Sequence, residues 1–148
     1  MKRTLAVLAL AVNVEAAPLG PLSVYLVEPC RFVDTRTSGV PLRSQQARPF
    51  LFRDVSQGLS CPVPLDAAAV LINVTTVDAT GPGHVVAWSG EGAPPPTSVN
   101  NFAPGLTEAN EVTLRLGGLS ANYDAAFLAR VQDDGTVHLV VDVIGYLK

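Results

Sequence analysis

Three charged side chains invite a chemical reading first. Asp34 and Arg36 stand two residues apart in D-T-R, and Asp142 sits inside the apolar run V-V-D-V-I near the C-terminus. Two carboxylates can share acid–base work or hold a cation. The same set can form a structural ion-pair knot, because the planar fork of arginine matches carboxylates. No nucleophile accompanies them, so the knot is the preferred reading: Asp142 buried and paired with a cation. Arg31, Arg36 and His138 are the candidates, with Arg36 first.

Other chemistry finds less support. His84 and His138 are the only histidines. Zinc asks for three or four ligands, and neither H-x-H nor C-x-x-C spacing occurs. The chain holds no G-x-S-x-G element and no phosphate-binding loop. Asp133-Asp134-Gly135 is read as a hairpin turn rather than a calcium loop, since the distal glutamate of such a loop is missing. Asn73-Val74-Thr75 is a glycosylation sequon, but it falls mid-strand and is read as sheet sequence. Trp88 and Tyr123 are candidates for a flat sugar-binding platform, set against ordinary core or rim packing. The expectation is a non-enzymatic chain with no metal and no cofactor.

The elements that must position these residues read as strands. Short apolar or alternating stretches fall at 23–27, 30–34, 48–54, 67–77, 84–89, 98–102, 110–116, 125–131 and 136–147, with breakers between them. The stretch 110–116 points Val112, Leu114 and Leu116 inward. The stretch 67–77 sets Val70, Ile72 and Val74 on one face. The last run is apolar on both faces, which marks a central strand. Past the leader, no segment has helical spacing with caps. Twelve glycines and twelve prolines break the chain throughout. The expected fold is all-β: a two-sheet antiparallel sandwich, jelly-roll-like, of about nine strands. Strands 125–131 and 136–147 are expected to form a hairpin across Asp133-Asp134-Gly135.

Composition bounds the setting. The chain has 148 residues, 48% of them hydrophobic and 16% charged, with a formal net charge of −3. That fits one folded domain and gives no footprint for nucleic acid. Lys2 and Arg3, the apolar run 5–12, and Val14 and Ala16 at the −3 and −1 positions have the layout of a secretory signal over 1–16. The run falls short of the roughly 20 apolar residues a transmembrane helix needs. A single domain is then expected over 17–148. Cys30 and Cys61 are the only cysteines. In an exported chain they are expected to form a disulfide.

Several segments together resemble a module that recurs in exported surface proteins of actinobacteria, acidobacteria and related high-GC bacteria. They are PCRFVDTR at 29–36, CPVP at 61–64, AVLINVTTVDATGPGHVVAW at 69–88, SVNNF at 98–102, AN at 109–110 and VVDVIGYL at 140–147. The resemblance covers nearly all of 24–147 and implies an extracellular β-sandwich engaged in adhesion, matrix or scaffold work. It carries over no catalytic residue. The expected function is that of a secreted or cell-surface structural or interaction module. It would meet a protein partner or its own copies. The alternative is a carbohydrate-binding module.

Overall fold

The computed structural model describes residues 20–53, 61–118 and 122–148. The leader expected at 1–16 lies outside them. Among the described residues nine strands form two antiparallel sheets packed face to face, an all-β sandwich. The first sheet contains β1 (Val24–Asp34), β9 (Thr136–Leu147), β4 (Ala69–Val77) and β7 (Glu108–Arg115), in that order. The two-residue β2 (Leu42–Arg43) also pairs with β9. The second sheet runs β3 (Ala47–Phe50), β8 (Ala125–Val131), β5 (Gly83–Trp88), β6 (Asn100–Phe102).

Period-two patterning sets which face goes inside. Val70, Ile72 and Val74 of β4 are buried against Val137, Leu139, Val141 and Val143 of β9 and the inward residues of the second sheet, among them Val85, Ala87, Phe127 and Ala129. Phe32, Phe50, Phe52 and Phe127 form an aromatic chain between the sheets, with Phe32 and Phe52 stacked at 4.2 Å. As expected, β9 is central, with β1 and β2 on one side and β4 on the other.

Three local readings need correction. The stretches 23–27 and 30–34 form one bulged strand, β1. Its register against β9 shifts between Leu26 and Cys30 and again between Arg31 and Val33. Bulges let a strand absorb Pro29, which has no N–H for the ladder. The stretch between the expected strands 30–34 and 48–54, where no element is expected, holds a one-turn helix α1 (Thr35–Ser38) and then β2. Asp34 caps that turn at its start, and Gly39, at φ 68°, closes it in the left-handed region that glycine tolerates.

The third correction concerns Asp133-Asp134-Gly135. The turn joins two sheets, because β8 pairs with β3 and β5 while β9 pairs with β1, β2 and β4. Positive φ falls on Asp133 (56°) and Asp134 (54°), and Gly135 is extended. Aspartate tolerates the left-handed region, so a dipeptide that reads as a hairpin serves here as a crossover. Only β1 to β2 and β5 to β6 connect neighbours within one sheet's set of strands; every other connection crosses the sandwich.

Candidate functional site

The outward face of the first sheet carries a polar row. Arg31 on β1 lies opposite Asp142 on β9, Asp142 opposite Asn73 on β4, and Asn73 opposite Glu111 on β7. Residues in register across a sheet share a face, and neighbouring strands lie about 4.8 Å apart, so the row spans roughly 14 Å. The four side chains floor an open hollow of about 540 Å³, with Pro29 and Ile144 as its apolar margins. Ile144 shares the face of Asp142 by period-two alternation, and β9 bulges beside it: Val143 opposes Ile72 and Gly145 opposes Leu71, leaving Ile144 unmatched.

Electrostatics tie the row's first two members together. Arg31 grips Asp142 through Nε and Nη2, the latter at 3.2 Å, and donates from Nη1 to Asp34 Oδ2 at 3.2 Å. Asp34 is in turn held by Arg36, which donates from Nε at 2.9 Å, Nη2 at 2.7 Å and its backbone N–H at 3.0 Å. Hydrogen bonding from Arg36 drives the Asp34 carboxyl far below the ordinary aspartate range, with help from the nearby charge of Arg31. The Arg31 guanidinium is raised, chiefly by its hydrogen bond to Asp142. The Asn73 amide donates to Thr75 Oγ1 at 3.3 Å. Glu111 is exposed and forms no salt bridge among the described residues.

The expected trio Asp34, Arg36 and Asp142 therefore belongs to one network, but through Arg31. Asp142 pairs with Arg31, not Arg36, because Arg31 is its direct cross-strand neighbour on the same face. Nor is Asp142 fully buried; its side chain is 23% exposed. His138 is engaged elsewhere: its Nδ1 lies 3.0 Å from Thr35 Oγ1. That hydroxyl also accepts from the Leu139 N–H, which pins α1 to β9.

Cys30 and Cys61 are bonded, with Cα atoms 5.6 Å apart. The bridge ties β1, beside the hollow, to the chain entering β4. Trp88 and Tyr123 lie at the rim of the other sheet, on the far side of the sandwich from the hollow. Tyr123 packs its ring over Gly90, where a Cβ would come within 2.6 Å of it. Trp88 is half-buried at the end of β5, and its indole N–H is covered without an acceptor. Both rings are half-buried at that rim. Of the asparagines, Asn100 and Asn110 satisfy backbone carbonyls, as short amides do: Asn100 reaches Val74 and Glu108, and Asn110 reaches Val99.

Sequence reasoning missed a second arginine–aspartate pair. Asp124 is fully buried just before β8 and accepts from the Phe52 and Arg53 backbone N–H groups at 2.8 and 3.0 Å. Its Oδ2 also accepts from Arg53 Nε at 3.0 Å. The rest of the Arg53 fork donates to the Ala67 and Gly117 carbonyls. The clasp joins the end of β3 to the entries of β4 and β8 and the exit of β7. Each stands at the end of an apolar run, Arg53 after Phe50-Leu51-Phe52 and Asp124 before Ala125-Ala126-Phe127-Leu128-Ala129, so neither breaks a pattern.

Comparison of the chain with family models, with curated proteins and with solved structures finds no match.

Proposed function

We propose that the protein is a non-enzymatic interaction module of the cell surface that holds a protein partner in the hollow across its first sheet. One observation carries the reading: Arg31, Asp142, Asn73 and Glu111 come from four strands to one row on a face left open by the described residues. All four are placed by paired strands rather than by loops, which gives the surface a fixed shape. The chemistry favours binding over catalysis. A general acid or base works best with a pKa near the operating pH, and Asp34 is driven the other way by its arginine.

Charge gives the partner a character. Arg31 and Asp142 offset each other, and Glu111 leaves the hollow with an excess negative charge at one end. A partner bringing a lysine or arginine to that end complements it. The disulfide fits an oxidising compartment. The leader-like 1–16 and the resemblance to exported sandwich modules support export. A carbohydrate ligand remains the second reading, favoured by the planar hydrogen-bonding groups of the row. It is the weaker one, because Pro29 and Ile144 margin the hollow where a sugar site would present a ring.

Affinity isolation from the cell envelope tests the proposal. The native protein is expected to recover a partner protein that Glu111→Arg fails to recover, with the variant's thermal unfolding unchanged. Equal recovery by both, or a polysaccharide as the retained species, contradicts the reading.

A further inference from the structure

The start of β1 is an unguarded edge. Val24, Tyr25 and Leu26 are 58%, 41% and 79% exposed, and residues 20–27 carry no charge. Ser23 and Lys148 exchange both backbone hydrogen bonds, at 2.8 and 3.1 Å. In an antiparallel pair the direction of these groups alternates. Tyr25, opposite Tyr146, therefore also faces β9. The N–H and C=O groups of Val24 and Leu26 then point away from the sheet, where β1 has no neighbour among the described strands.

We infer that this edge pairs with the same edge of a second copy, antiparallel, about a two-fold axis at Tyr25. Val24 of each copy then lies opposite Leu26 of the other. All four outward backbone groups of each three-residue stretch are satisfied. The side chains agree with this register. Tyr25 already stacks on Tyr146 at 5.2 Å, with ring planes 12° apart. Directly opposed residues bring side chains to similar separations. Two copies thus align four rings in one row, Tyr146, Tyr25, Tyr25 and Tyr146. The nearby Lys148 is neutralised within its own chain by Asp66 at 3.3 Å, so the axis brings no unpaired like charges together.

The other edge of the sheet explains why the partner is the same strand. β7 carries Glu108, Glu111 and Arg115, and the segment at Val99 and Asn100 lies against it, joined by the Asn100 and Asn110 amides. Charges and cover are the usual protection of an edge. A head-to-tail β1-to-β7 fibre is thereby opposed. An isologous contact closes on itself instead. Pro29 and the register shift after Leu26 stop the pairing from running further. The Tyr25 row lies on the face opposite the hollow, so the pairing leaves the hollow open.

Analytical ultracentrifugation of the full chain over a concentration series, with four variants, tests the inference. The native mass is expected to double as concentration rises. Leu26→Lys is expected to abolish the doubling and to match the native thermal midpoint at the lowest concentrations, where both are monomers, since its backbone groups face away from β9. Tyr25→Cys is expected to give a disulfide-linked dimer through a 25-to-25 bond, identified by peptide mass. Directly opposed residues of this non-hydrogen-bonded type sit about 4.5 Å apart at Cα, within the span a disulfide accepts. Glu111→Gln should leave the dimer intact, which separates this result from any failure of partner capture. A native protein that stays monomeric without the 25-to-25 link overturns the inference. So does a dimer that survives Leu26→Lys, or one linked through Thr113→Cys on β7.

Discussion

Two arginine–aspartate clusters sit in one small sandwich and do different work. The Arg53–Asp124 clasp is buried, with Asp124 fully covered and every partner a backbone group or its own arginine. The Arg31–Asp142–Asp34–Arg36 network lies on the open sheet face, with both guanidiniums about half exposed. The same residue types therefore carry opposite stakes. A buried carboxylate left without its cation has no water to turn to, whereas an exposed pair exchanges its contacts with solvent at little cost. Burial, not the presence of a salt bridge, separates a fastening from a surface that remains available to a partner.

The sharpest way to break that comparison is to remove one member of each cluster. Asp124→Ala is expected to destabilise the fold by about 3 to 5 kcal/mol, the usual cost of leaving a buried charge unpaired. Replacing both Arg53 and Asp124 by apolar residues of similar size should cost less than Asp124→Ala alone. Urea unfolding measures both. A loss below about 1 kcal/mol for Asp124→Ala would place the clasp in the exposed class.

The bridge beside the hollow ranks next. Replacing Cys30 and Cys61 together by alanine is expected to cost about 3 to 4 kcal/mol through the freed unfolded chain. Thiol titration of the unfolded, unreduced protein should find neither cysteine reactive. Two titrating thiols would remove the bridge from the account.

Smaller effects sharpen the exposed side. Asp142→Asn is expected to cost about 1 kcal/mol or less, since half-exposed Arg31 can turn to water. Asp34 adds a pH dependence of defined sign. Its carboxyl is lowered in the folded protein, while an aspartate in the unfolded chain titrates near about 3.9. Its contribution is full above that value and is lost as pH falls toward the folded one. Stability of the native protein should therefore drop more steeply below about pH 4 than that of Asp34→Asn. Parallel acid profiles would contradict the assignment. Glu111→Gln is the smallest, within about 0.5 kcal/mol of the native protein.

What the sequence made legible follows the same division. Alternation in Val112, Leu114 and Leu116 and the two-sided apolarity of 136–147 marked the sheet and its central strand, because burial imposes those patterns on residue type. Asp142 was visible as a polar break in an apolar run. Its partner was misassigned because the choice among Arg31, Arg36 and His138 depends on register, which bulges in β1 shift by whole residues. Asp133-Asp134-Gly135 misled because a turn's backbone preference does not say which sheet the next strand joins. The Arg53–Asp124 clasp was invisible, as its partners are mostly backbone groups, which leave no mark on side-chain pattern. Alternation with Val112 and Leu114 tells of Glu111 only that it faces outward. Its place at the end of the row required the pairing of β7 with β4.

The central claim is that the open face of the first sheet, and not the rim of the second, meets the partner. A photo-crosslinking side chain placed at Glu111 and, separately, at His84 on the second sheet tests it in the producing cells. The account predicts a specific protein adduct from position 111 that Asp142→Arg abolishes, and none from position 84. Adducts from position 84 alone would contradict it.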